Sequence, residues 1–339
     1  MGAPQRGQTG SLTPKRYTTN RAAGKGPAHG RDGPSPVRCE AYARAIDPAL
    51  PFCSLLSTAE PLGGTASHAR GCVLVSYPKR LWARNALASS GMPDAMRDAC
   101  AELAERHGVV TRLVAHEGVW DEHVELTLFP QGRRHARVPL AEVADVLARS
   151  SPTAGTVVTQ PVVLVCTHGV RDRCCARFGG ALVRALRAVA DARVEIREAS
   201  HLGGDRFAPV VLVLPSGQMF GHLQPDDAPA LVRVALGEVA LRARYRGTLW
   251  RDPLEQLAEV AVLDRVREGG RWPVLGPVER TVRDGDHAVL RVALTSEEEP
   301  TTTIEVDCVR EHRLVIGDCR SADRSRRGSV HVWRVERVR

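Results

Sequence analysis

"PVVLVCTHGVRDRCCARFGGALVRALRA", residues 161–188, is the stretch that decides how this chain is read. It opens with a short continuous apolar run, the pattern of a strand covered on both faces. Beyond Cys174, the residues Leu182, Val183, Leu186 and Val189 recur at helical spacing with arginines between them, which predicts a helix with one buried face. The strand therefore ends in Cys166 and the helix begins with Cys174 and Cys175, joined by a loop that carries Arg171 and Arg173.

Working outward, "RVEIREA" (193–199) predicts a second strand, "SHLGGDRF" a loop, and "APVVLVLPSGQMFGHL" two strands joined by a Pro-Ser-Gly turn. A helix follows in "DDAPALVRVALGEVALRAR", with Asp226 and Asp227 at its start. Strand, helix, strand, hairpin, helix is the thioredoxin order. A weaker copy precedes it: "CVLVSYP" (strand), "MPDAMRDACAELAERHG" (helix), "VVTRLVAH" (strand), "HVELTLFP" and "RHARVPL" (hairpin) and "LAEVADVLARS" (helix). Where the second copy has a cysteine the first has Tyr77 and Pro78, so the first copy reads as scaffold.

Downstream, "DPLEQLAEVAVLDRV" predicts an amphipathic helix, and "HAVLRVAL", "TTTIEVDC", "RLVIG" and "VHVWRVERV" alternate as short strands. The expected fold is α/β, two thioredoxin-like units of which the first is degenerate, followed by a helix and a small antiparallel β unit. The expected divisions are a basic tail over 1–38, the degenerate unit over 39–155, the second unit over 156–247 and the last unit over 248–339.

Composition narrows the setting. No run approaches the roughly 20 apolar residues of a membrane span, and the first residues lack the apolar core of a secretory signal, so a soluble cytoplasmic protein is expected. The 339 residues include 9 cysteines, an odd number, most of them single within apolar patterns, which suits a reducing compartment. Residues 1–38 hold seven Lys/Arg against Asp32, so six of the eight net positive charges lie there, in a segment rich in Gly, Pro, Ser and Thr that is expected to be disordered. A solvated extension is the expected reading of this tail, since no interleaved aromatic residues or repeats support specific binding, and contact with nucleic acid or an acidic partner is the sharper alternative. No carboxylate motif marks a glycosidase pair.

Ligand sites in open α/β sheets gather outside the carboxyl ends of parallel strands, where Cys166 sits. Cys174 and Cys175 lie at a helix start, where the dipole and the loop arginines favour a thiolate. In the thioredoxin order the loop after the second strand returns beside the first loop, which sets His201 and Asp205 of "HLGGD" against Cys166 and Cys175, with Gly203 and Gly204 permitting close approach. Two thiols, an imidazole and a carboxylate suit a metal. Thiolate with imidazole serves zinc or a [2Fe-2S] cluster of mixed ligation, and the eight-residue loop between Cys166 and Cys175 is roomier than the usual zinc knuckle.

These residues carry a resemblance. "CTHGVRDRCC" followed by "SHLGGDRFAPVVLVLPSGQMFG" is similar to the sucrase/ferredoxin-like family, as are "CSLLSTAEPLGGTASHARGCVLVSYP" upstream and "RYRGTLWRDPLEQLAE" downstream, together spanning roughly residues 50–265. The resemblance implies that Cys166, Cys175 and His201 ligate a [2Fe-2S] cluster. At Asp205 the fungal relatives have a histidine, so the fourth ligand is Asp205, Cys174 as a third thiolate, or water. His168, Arg171 and Arg206 belong to the same motifs and are expected either to hydrogen-bond and place charge near the cluster or simply to pack the loops. Cys53 and the segment from Glu60 to Ala66 are shared with the family without an assigned chemistry, and packing is expected of them. Cys308 and Cys319 are a candidate second ligand pair, with isolated half-buried cysteines the expected reading; His222 and His312 are expected at the surface.

The function expected is an electron carrier, rather than a stand-alone enzyme, that meets an unidentified redox protein through a small contact. The alternatives are a metal-free thiol oxidoreductase or redox sensor using Cys166 and Cys175, and a zinc-stabilised structural module.

Overall fold

The computed structural model describes residues 52–149, 154–264, 274–295 and 302–339. The expectation of a disordered basic tail over 1–38 lies outside them. A short helix α1 (Cys53–Leu56) leads into strand β1 (Gly71–Tyr77), helix α2 (Asp94–His107), β2 (Val109–Ala115), the hairpin β3 (His123–Phe129) and β4 (Arg133–Pro139), and α3 (Val143–Arg149). After a short edge strand, β5 (Thr156–Val157), the same order returns: β6 (Val162–Cys166), a π-helical turn over Cys175–Gly179 running into α4 (Gly180–Ala188), β7 (Glu195–Ala199), β8 (Val211–Leu214), β9 (Gln218–Phe220) and α5 (Ala228–Ala235).

The nine strands to this point, with β10 (Tyr245–Thr248), form one mixed ten-stranded sheet in the order β10-β9-β8-β6-β7-β2-β1-β3-β4-β5. Within it β1 is parallel to β2 and antiparallel to β3, and β6 is parallel to β7 and antiparallel to β8, so the two runs share one connectivity. They meet where β2 and β7 pair antiparallel at Val114 and Ala199. Ser200 clasps this junction, its amide donating to the Leu113 carbonyl at 2.7 Å and its hydroxyl accepting from the Leu113 amide at 3.0 Å.

Strand alternation explains why a cysteine ends β6 in the interior. Val163 and Val165 face α4 and α5 through Leu182, Leu186 and Leu231, whereas Val162, Leu164 and Cys166 face a core that also takes Cys72, Leu74 and Phe129 from the first run. The remaining face of the first run packs Val73, Val75 and Leu113 against Met96 and Cys100 of α2. Near the junction an ion network of Arg134, Glu125, Glu195 and Arg197 also joins the runs, with Arg134 Nη2 to Glu195 Oε2 at 2.6 Å and Arg197 Nη1 to Glu195 Oε1 at 2.7 Å.

Beyond β10, Asp252 caps α6 (Pro253–Leu263) by accepting from the Leu254 and Glu255 amides. This helix packs Leu254, Ala258 and Val262 onto a four-stranded antiparallel sheet of β11 (Val274–Asp284), β12 (His287–Thr295), β13 (Thr302–Val315) and β14 (Gly328–Val338). A five-residue helix α7 (Cys319–Asp323) sits between the last two strands.

Several boundaries differ from the sequence periodicity. Helix α4 ends at Ala188 rather than running on past residue 190, because Asp191 starts a turn, its side chain accepting from the Arg193 amide at 2.8 Å and its carbonyl from the Val194 amide at 2.9 Å. Helix α5 stops before Gly237, which takes φ +73° and closes the helix. Strand β10 lies in a stretch with no alternation and exists because it pairs with β9. "TTTIEVDC" and "RLVIG" join in one long strand over 302–315, since the consecutive charged residues between them, Arg310 and Glu311, reach solvent from both faces. No helix among the described residues is long and apolar enough to cross a membrane.

Candidate metal centre

Cys166 is held at the carboxyl end of β6 by its own amide, which donates to the Val210 carbonyl at 3.0 Å. The π-helical turn that begins at Cys175 brings its thiol back over the strand end. Gly179, at the other end of the turn, passes so close that a Cβ built on it would lie 2.1 Å from the Cys166 carbonyl oxygen. From the loop after β7, Gly203 and Gly204 take φ +99° and +80° and so return His201 and Asp205 to the same place.

The four side chains expected to meet do so. Cys166 lies beside Cys175 and His201, both of which act to lower its pKa. Cys175 Sγ lies 3.6 Å from Asp205 Oδ1, and His201 Nδ1 lies 2.8 Å from the same oxygen. That imidazole nitrogen is off the line of a hydrogen bond, which leaves it a buried polar atom without a directed partner. Cys166, Cys175 and Asp205 are buried, and His201 is the member that reaches solvent, its side chain 26% exposed.

The Cys175 thiol carries Cys166 well below its ordinary range, and the same contact, with burial, pushes Cys175 up. Burial alone would lower His201, but Asp205 and Cys166 outweigh it and raise the imidazole to about 9. Burial would raise Asp205, but His201 and Arg171 hold it below the usual carboxylate range. Two sulfurs, an imidazole and a carboxylate in contact are a donor set for thiophilic metals.

The three residues expected around this group lie in contact with its loops. Arg171 Nε is 3.3 Å from Asp205 Oδ2. His168 is buried, stands edge-on to Trp82 and accepts from the His201 amide at 3.1 Å through Nδ1. Arg206 reaches away, pairing with Glu60 Oε2 at 2.8 Å and lying over the Phe207 ring.

Cys174 faces elsewhere. Its sulfur lies 3.5 Å from Cys53 Sγ and 3.2 Å from Cys319 Sγ, with Asp172 beside them, a second group that spacing did not reveal. Cys308 and Cys319 do not form a pair, and neither is half-buried: Cys308 packs under α6, 2% exposed, while Cys319 is 3% exposed in the core that holds Cys166. His222 is also buried, set edge-on to Phe207 and bonded to the Ser57 carbonyl at 3.3 Å, because its loop folds under residues 57–62. His312 is exposed as expected.

Of the segments with no assigned chemistry, Cys53 lies in this second group and the segment from Glu60 to Ala66 meets Arg246. Its guanidinium, 1% exposed, donates to Thr65 Oγ1 at 3.1 Å, to the Thr65 carbonyl and to the Gly203 carbonyl at 3.0 Å, and lies over the Phe207 ring. It thereby ties residues 64–66 to the loop that presents His201 and Asp205. Nothing in local sequence spacing marks this role, since the partners are 181 and 43 residues away.

Comparison with known proteins gives four findings. Over 99 residues the chain is 29% identical to "Altered inheritance of mitochondria protein 32" of Meyerozyma guilliermondii, covering 26% of this chain and 35% of that protein, so the match spans about a third of the relative's length. A thioredoxin-like [2Fe-2S] ferredoxin from Aquifex aeolicus aligns over 27% of this chain and 94% of its own, at 19% identity and TM-score 0.24. A second structure of the wild-type ferredoxin aligns over 26% and 97%, at 19% identity and TM-score 0.23. The family profile described as sucrase/ferredoxin-like matches residues 62–247, more than half of the chain. The chain thus belongs to the sucrase/ferredoxin-like family.

Proposed function

We propose that this protein is a one-electron carrier whose residues Cys166, Cys175, His201 and Asp205 hold a [2Fe-2S] cluster. The observation that carries the reading is the convergence of those four side chains at the end of β6, with the His201 Nδ1 left without a directed partner. The two thiols in mutual contact suit binding to one metal atom, and the imidazole and carboxylate, themselves in contact, suit a second. When bound, such a cluster supplies one-electron transfer.

The chain's own residues have separate tasks in this reading. Cys166 and Cys175 supply sulfur from a buried strand end that excludes water, and Arg171 keeps Asp205 ionised and oriented. His168 fixes the backbone of His201. His201, the most exposed member, forms the edge at which a redox protein docks through a small contact. Cys174, turned toward Cys53 and Cys319, stays out of this ligand set. The reading also takes the two sheet runs as thioredoxin-like copies, the first without ligands, with divisions near residues 155 and 247. The protein works in the cytoplasm, with no membrane or nucleic-acid partner.

The test is the visible spectrum of anaerobically purified full-length protein, with iron and acid-labile sulfide assayed on the same sample. Charge-transfer bands with equal iron and sulfide, both lost in Cys166→Ser and Cys175→Ser, are expected. A colourless protein that takes up no iron and sulfide on reconstitution refutes the cluster. The contact between Cys166 and Cys175 favours one second reading, thiol–disulfide exchange through a Cys166–Cys175 bond. That reading predicts a colourless protein with a titratable disulfide.

A further inference from the structure

Cys53, Cys174, Cys319 and Asp172 form a group separate from the one just assigned, although Cys174 and Cys175 are neighbours in sequence. The residues come from three distant places: α1, the loop before the π-helical turn, and the start of α7. All four are buried. The sulfurs stand 3.5 Å (Cys53 to Cys174), 3.2 Å (Cys174 to Cys319) and 3.6 Å (Cys319 to Cys53) apart, and Cys53 Sγ is 4.0 Å from Asp172 Oδ2. Four ligands placed tetrahedrally around zinc with sulfur at 2.3 Å are about 3.8 Å from one another, so the group already has nearly the dimensions of such a shell.

We propose that Cys53, Cys174, Cys319 and Asp172 form a structural zinc site. Three sulfurs and one carboxylate oxygen in a closed, buried shell without an open position are the donors of a structural rather than a reactive zinc.

Two of the three sulfurs accept hydrogen bonds from backbone or hydroxyl donors, as metal-bound thiolates do. The Cys53 amide donates to Cys319 Sγ at 3.5 Å, and the Ser54 hydroxyl to Cys174 Sγ at 3.3 Å. Asp172 is oriented by the amides of two of its fellow ligands, Cys174 at 2.8 Å and Cys319 at 2.7 Å. No Lys or Arg side chain forms an ion pair with this buried carboxylate among the described residues, and a cation within the group answers its charge. Arg173, next to the shell in sequence, pairs with Asp323 of α7 and so ties that helix to the loop carrying Asp172 and Cys174. A disulfide between any two of the three sulfurs would leave the third thiol and the carboxylate buried without that compensation.

The site would pin α1 and α7 to the loop that presents Cys175, and so hold the backbone of the proposed cluster ligand from the outside. The inference does not rest on the identity of the group at Cys166, and its test separates the two.

The test uses the full-length chain purified under reducing conditions, with metals determined by mass spectrometry and X-ray absorption at the zinc edge. One zinc per chain with three sulfur neighbours and one oxygen is expected, retained in Cys166→Ser and in Cys308→Ser. Cys53→Ser and Cys319→Ser should each weaken zinc binding by more than about 100-fold, the upper range seen when a group merely supporting a ligand is lost. A wild-type chain that takes up no zinc on reconstitution overturns the proposal, as does zinc retained by both variants or a native disulfide among Cys53, Cys174 and Cys319. If either variant fails to fold, the wild-type absorption spectrum decides alone: three sulfurs and one oxygen support the site, and any other shell refutes it.

Discussion

Replacing Arg246 by alanine tests how the loop of His201 and Asp205 is held. The guanidinium donates three hydrogen bonds, two to Thr65 and one to the Gly203 carbonyl, and stacks on Phe207. At about 1.5 kcal/mol each, the low end for bonds to a charged group, the three sum to about 4–5 kcal/mol. The face contact with Phe207 adds about 0.5–1 kcal/mol. Water entering the space and release of the charge from burial offset part of this, which leaves a net loss of about 3–4 kcal/mol. For a unit of this size that corresponds to a fall in Tm of about 10 °C. Arg246→Lys keeps the charge but presents one point donor instead of a fork, and should recover no more than about 1 kcal/mol. The assay is urea denaturation of both variants, with hydrogen exchange followed over residues 201–206, where protection should fall first. An Arg246→Ala protein within about 1 kcal/mol of the parent, with unchanged exchange in that loop, would refute the idea that this side chain holds the site together.

Gly179→Ala places a methyl 2.1 Å from the Cys166 carbonyl oxygen in a backbone otherwise suited to alanine, so the cost is steric; a loss of at least about 3 kcal/mol by denaturation is expected, together with loss of any colour at the Cys166 site. Burial would raise the pKa of Glu195, but Arg134 and Arg197 outweigh it and hold the carboxylate below its ordinary value. Its contribution is therefore present at neutral pH and lost as pH falls through the folded-state value, so Glu195→Gln should lose about 1–2 kcal/mol at pH 7 and the difference should close once the pH is below that depressed value. Equal stability of the two proteins at pH 7 would count against the network as a link between the sheet runs. Cys174→Ser should leave iron and sulfide at the proposed cluster site while Cys175→Ser abolishes them, checked by the two assays on matched preparations.

The order of elements from β1 to α5 could be read from the sequence, because strands such as 162–166 and helices such as 94–107 carry their own periodicity. So could the meeting of Cys166, Cys175, His201 and Asp205, since it follows once the loops after two parallel strands are known to lie at one end of a sheet. Helix ends were less legible. Asp191 and Gly237 close α4 and α5 by local turns that cut across an apolar pattern continuing beyond them. Strand β10 was not legible at all, because its four buried residues show no alternation and owe their conformation to β9.

Sequence alone determined which residues stand at the strand end and the returning loop, since a period of two or of 3.6 is a property of neighbours along the chain. Only the tertiary structure decided which way the adjacent thiols of Cys174 and Cys175 face. One helical residue turns the side chain by about 100°, so one sulfur meets Cys166 and the other meets Cys53 and Cys319, which lie 121 and 145 residues away. Contacts over such separations depend on how the sheet, α1 and α7 pack, and packing is a property of the whole chain.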